Sequence, residues 1–173
     1  TTALVTLLLY MNYWLNWELI ATIALFYTLI VLSLIDLKYK AVPDYLLIVA
    51  VILAILVGDL MYILIFAGGF ALLELVITFY IQNVKAKITK NKELETQSAL
   101  GEGDIPIAGV IGGLLGLHLG ISAIFLATLL GLLLSTYNLL SKKEIETPFI
   151  PFLSLGLFIT FISGFNMFSW FIY

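Results

Sequence analysis

The sequence predicts an all-α, polytopic membrane helix bundle of six to seven transmembrane helices, on three observations. Of 173 residues, 62% are hydrophobic and only 11% charged, with a mean hydropathy of +1.15. A soluble domain uses roughly 25% charged residues, so a surface this poor in charge is solvated by membrane lipid. Apolar stretches then recur at close to the roughly 17–25 residues that a membrane-spanning helix needs. Finally, every lysine falls in an alternate loop. No polar block is long enough to form a second domain, so residues 1–173 read as one transmembrane domain.

Seven apolar segments follow in order, at about 3–16, 18–37, 44–58, 60–82, 104–118, 119–140 and 149–172. The first is short, and Thr1-Thr2 brings neither an initiator Met nor a basic stretch, so no signal peptide is expected. The second opens on Glu18, where a carboxylate suits the positive end of a helix. The third follows Pro43-Asp44, with Asp44 placed to cap it. Asp59 marks the turn into the fourth, and the turn at 117–120 is as short, so 44–82 and 104–140 read as two tight hairpins. The fifth and sixth carry Gly109, Gly112, Gly113, Gly116 and Gly120, giving small-xxx-small spacings that let helix backbones approach closely. The seventh ends in Phe165, Phe168, Trp170, Phe171 and Tyr173, an aromatic belt at a membrane interface.

The lysines orient these segments. Lys38 and Lys40 follow the second, Lys85, Lys87, Lys90 and Lys92 the fourth, and Lys142 and Lys143 the sixth. The positive-inside rule puts these three loops in the cytoplasm. Glu93, Glu95, Glu144 and Glu146 share them and read as solvated charge.

Composition also excludes chemistry. Without cysteine there is no disulfide, thiol nucleophile or thiolate metal site. The single histidine, His118, rules out a His-Glu-x-x-His zinc site and falls on the outer side. No metal, other cofactor or nucleic-acid partner is expected.

Three acidic residues stand apart. Asp36 ends the apolar run Ile30-Val31-Leu32-Ser33-Leu34-Ile35, and Asp104 starts the fifth segment after Gly101-Glu102-Gly103. Although 68 positions separate 36 from 104, the lysine topology brings both to the same side and depth. Ionisable groups at such depth are costly and usually functional; the plainer reading is that each marks a helix end. Gly101 and Gly103 leave backbone bare beside Asp104, and Pro43-Asp44 ties a rigid loop beside Asp36. Glu74 lies inside the fourth segment, either as a protonated structural residue or as part of the same site. A rival reading makes Asp36, Glu74 and Asp104 a relay in a small transporter or proton channel, which would need them spread across the bilayer.

Asp36-Leu37-Lys38-Tyr39-Lys40-Ala41-Val42-Pro43-Asp44 resembles the Asp-x(6)-Pro-Asp signature of type IV prepilin peptidases. Gly101-Glu102-Gly103-Asp104 is similar to their Gly-x-Gly-Asp motif, and Pro148-Phe149-Ile150-Pro151-Phe152-Leu153-Ser154-Leu155-Gly156 to their C-terminal segment. Archaeal preflagellin peptidases share the first two motifs. The resemblance implies an aspartic endopeptidase of the plasma or inner membrane, with Asp36 and Asp104 catalytic and Pro43, Asp44, Gly101, Glu102 and Gly103 near the site. It implies a prepilin-like or preflagellin-like substrate with a basic leader and an apolar helix, cut at the cytoplasmic face. Glu93, Glu95 and Glu102 are candidates for binding the leader. Ile105-Pro106 replaces a lysine usual in bacterial members, and their cysteine-bearing methylating domain has no counterpart here, which implies cleavage without methylation.

Overall fold

The structure is a computed structural model that describes residues 17–85, 101, 103–140 and 148–167. These hold five α-helices: α1 (Trp17–Tyr39), α2 (Asp44–Val57), α3 (Leu60–Phe79, extended by a π-helical turn, Tyr80–Lys85), α4 (Asp104–Leu140) and α5 (Ile150–Ser163). The helices expected at 18–37, 44–58 and 60–82 are present. The segment at 3–16 lies outside the described residues, as do Glu93, Glu95, Glu102, Glu144, Glu146, the lysines beyond Lys85 and the aromatic residues after Met167.

Among the described residues, three helices are long and apolar enough to cross a membrane: Trp17–Tyr39, Leu60–Asn83 and Asp104–Asn138. α2 and α5, at 14 residues each, are about 21 Å long at 1.5 Å per residue, against a hydrocarbon slab of about 30 Å. The described residues thus hold three long apolar helices and two short ones of the six or seven spans expected, and the first expected segment, 3–16, lies outside them. α5 stops at Ser163, well before 172, because Gly164 takes a left-handed conformation (φ 61°) and donates its N–H to the Thr160 carbonyl.

α4 corrects the reading of its glycines. Gly116 (φ 71°, ψ −171°) breaks the helix in a conformation open essentially to glycine alone. Side chains added at Gly112 and at Gly120 would both strike the ring of Phe66, the latter 2.6 Å from Cζ. Eight residues of straight helix span about 12 Å, too far for one ring to meet both. The chain therefore folds back at Gly116 into two legs, 104–115 and 117–140. The expected hairpin exists, but Gly116 makes its turn and does not serve as a packing position within one continuous helix.

Close approaches set the register. The Asp59 N–H donates to the Gly113 carbonyl at 3.0 Å, and a side chain at Gly109 would meet Ile63 and Ala67. The first leg of α4 thus runs antiparallel to α3. On α5, Gly156 lies against Ala123 and Ala127, and the Met167 N–H reaches the Ser122 hydroxyl at 3.0 Å. α1 is zipped to α5 by the Ser33 and Ser154 hydroxyls, hydrogen-bonded at 3.0 Å, and by Phe26 packed edge-on against Phe158 and Phe161. Leu25, Leu29, Leu32, Ile107, Ile111, Leu153 and Leu157 fill the core between them.

Candidate active site

α1 ends at Tyr39, and Lys40 turns the chain with a left-handed backbone (φ 51°), donating its N–H to the Asp36 carbonyl at 2.9 Å. Asp36 thus occupies the last turn of α1, at the very end of its apolar run, yet is only 7% exposed. Its Oδ2 accepts the backbone N–H of Ile150, the first residue of α5, at 3.2 Å. The opening N–H groups of a helix lack intrahelical partners, and Pro151 next in line has no N–H to compete.

Asp104 opens α4 and is 5% exposed. Its Oδ2 accepts the Gly101 N–H at 3.1 Å, while its own N–H donates to the Gly101 carbonyl at 3.0 Å. This reciprocal pair has the logic of a capping box and holds the carboxylate against its own turn. Gly101 and Gly103 therefore differ from the bare backbone expected of them. Gly101 commits its amide to Asp104, and Gly103 is buried where a Cβ would sit 2.9 Å from Ile150 Cδ1.

That last contact joins the two halves. Because Gly103 has no side chain, Ile150 packs over it, and the amide of the same Ile150 holds Asp36. The structure brings Asp36 and Asp104 to one end of the bundle, joined through Ile150 and Gly103. Glu74 lies half-buried on α3, in the half of that helix nearer Lys85. Among the described residues no group of three or more His, Asp and Glu side chains is arranged to hold a metal ion.

Pro43 and Asp44 stand at the start of α2, and here the expected cap is corrected. Pro43 is the N-cap, with no side-chain hydrogen bond, and Asp44 lies exposed in the first turn. A proline at the cap leaves Asp44 one position too late to close that turn. The opposite turn holds the true cap, where the Asp59 carboxylate accepts the Met61 N–H at 2.8 Å. The Ile150 amide is a site group that sequence motifs do not single out, since no side-chain chemistry marks it. Its one signal is the Pro-Phe-Ile-Pro run, which starts a helix beside the site.

Residues 23–136 match the model of the type IV leader peptidase family, more than half of the chain. The chain belongs to that family. Membership makes this type IV leader peptidase a protease, and its long apolar helices make it a membrane protein. The match takes in both the Asp36-to-Asp44 and the Gly101-to-Asp104 motifs and ends before α5. Comparison with curated proteins and with solved structures found no match.

Proposed function

We propose that this leader peptidase is an aspartic endopeptidase in which Asp36 and Asp104 cut the leader from a prepilin-like or preflagellin-like protein at the cytoplasmic face. The observation that carries this reading is the convergence of two buried carboxylates, from helices distant in sequence, on one end of the bundle, where Ile150 holds the first and packs beside the second. Two close carboxylates share a proton, since both cannot ionise cheaply. The ionised one draws a proton from water, which attacks the scissile carbonyl. The protonated one polarises that carbonyl and passes its proton to the departing amine. One N–H per carboxylate fixes orientation while leaving the other oxygen for water or substrate.

The helix lengths favour a recessed site. From the Asp59 turn, 14-residue α2 and the first leg of α4 rise only about 18–21 Å. α3 with its π-helical turn, and the second leg of α4, continue past that level to Lys85 and Leu140. With the Asp59 turn at the outer boundary of a slab about 30 Å thick, the carboxylates lie about 10 Å below its inner boundary, and Lys38 and Lys40 of the lysine loops follow Asp36 directly. A leader held among those loops delivers its junction with the apolar helix to that depth. The relay reading loses ground, because Asp36, Glu74 and Asp104 gather at one end.

The test is incubation of the purified protein in detergent with a leader-bearing peptide, followed by mass spectrometry. A single cut at the leader junction, lost when Asp36 and Asp104 are both changed to Asn, is expected; cleavage by that double variant would refute the mechanism. Sidedness is read by single-cysteine labelling, which the cysteine-free sequence makes simple. A Cys at Ser141 should react from the cytoplasm and one at Asp59 from outside, and the reverse pattern would invert the orientation.

A further inference from the structure

A groove of about 330 Å³ runs down the outside of the bundle between α1 and α5. Its head is formed by Leu37 and Pro151, the immediate chain neighbours of Asp36 and of the Ile150 amide that holds it. Its foot is Phe26 with Phe158. The eleven positions from Phe26 to Leu37 amount to about 16 Å of helix. Its walls are apolar and open sideways, with Leu34 62% exposed. The floor carries Ser33 and Ser154, small residues whose hydroxyls are hydrogen-bonded to each other, with the Leu29 carbonyl taking a further bond from Ser33. Small residues of that kind admit a neighbouring helix closely, and a mutually bonded pair presents no unmet polar group to it.

A second apolar groove, between α3 and the second leg of α4, offers a comparison. It is lined by Phe66, Leu117 and Ile121, touches neither α1 nor α5, and starts at neither Asp36 nor Asp104. Lipid chains suit both grooves equally. Only the first begins at a candidate catalytic carboxylate and leads away from it toward the outer face.

We propose that the α1/α5 groove seats the apolar helix of the substrate, beginning at the residues just after the cut bond. The inference rests on the peptidase reading above. A chain cut beside Asp36 has its leader on the lysine side and its apolar helix starting at the cut. That helix must leave the site within the membrane, and the groove gives it a wall about half a membrane deep that starts where the cut is made. The groove therefore sets specificity for a helix-bearing substrate.

Two measurements test this. In vesicles, the Asp104→Asn protein carrying one cysteine at Leu37, Leu34 or Ile30 is mixed with leader-bearing substrates that each carry one cysteine after the scissile bond. Cross-links should form a ladder, with Leu37 pairing nearest the cut, Leu34 about one turn later and Ile30 about two turns later. Pairing without register, or cross-linking of these positions to residues 3–16 of the same chain, would overturn the proposal. Separately, Leu34→Trp or Ile30→Trp should raise KM for a helix-bearing substrate by about tenfold, removing its advantage over a substrate truncated after the cut. Ile121→Trp, in the other groove, should not change that ratio. An unchanged KM in Leu34→Trp and Ile30→Trp sinks the groove alone, whereas failure of the wild-type protein to cut either substrate sinks the peptidase reading beneath it.

Discussion

The two ends of this bundle are built on opposite terms. At one end, Asp36 and Asp104 are buried polar groups, each held by a single backbone amide from Ile150 or Gly101. At the other, Gly58 and Gly113 bring backbone against backbone, Phe66 is wedged between Gly112 and Gly120, and Asp59 caps α3. The glycine end maximises contact, which in lipid is what holds helices together. The carboxylate end accepts the cost of burying charge, and nothing in helix packing requires it to. Close packing and chemistry thus sit at opposite ends of the helix axes, and substitutions at the two ends test how far the second depends on the first.

The largest expected effect belongs to the carboxylate end. Asp36→Asn or Asp104→Asn should each lower cleavage about a thousandfold, the scale of lost acid–base catalysis, while the thermal unfolding midpoint stays at its wild-type value. Asp44→Asn, at an exposed first-turn position, should change the rate by no more than about twofold, as surface changes generally do. Equal losses in all three would bring Asp44 into the catalytic set.

Gly112→Leu and Gly113→Leu come next. Each adds a side chain into Phe66 or Ile63, forcing α3 apart from the first leg of α4 and so shifting Asp104, which that leg carries, relative to Asp36. A displacement of about 1 Å at a catalytic pair costs about a hundredfold in rate, and here stability should fall as well. Full turnover in both variants would mean the ends are not mechanically joined.

Gly116→Ala should do the reverse of the aspartate changes. Its backbone conformation costs a side chain about 1–3 kcal/mol, so the unfolding midpoint drops while the rate per folded molecule is kept, as calorimetry alongside activity titration will show. A loss of rate larger than the loss of folded protein would mean that the turn itself helps place the site. The smallest effect is expected for Ser33→Ala. It removes one interhelical hydrogen bond, worth about 0.6 kcal/mol on average within membranes, and a midpoint shift as large as that of Gly116→Ala would show the α1–α5 seam to be stronger than packing suggests.

Much of this molecule is legible in its sequence. Charge scarcity and apolar segment length announce a membrane bundle, because lipid is the only solvent for such a surface. The alternation of lysine loops is enough to predict that Asp36 and Asp104 share a side, because a helix crossing the bilayer reverses the chain each time. Helix bounds near 18–37, 44–58 and 60–82 follow from where polar residues interrupt the apolar runs. Tertiary structure alone decides the rest. By spacing, Gly116 is one more small packing residue, and only its backbone angles, with Phe66 touching both legs, make it the turn. By residue type, Asp44 is a cap, but which residue caps depends on where the first turn closes, and Pro43 closes it. The Ile150 amide that holds Asp36 has no side-chain signature, since a free N–H belongs to whichever residue starts a helix. Its place above Gly103 is set by contacts between residues 47 positions apart, a distance over which local sequence carries no geometry.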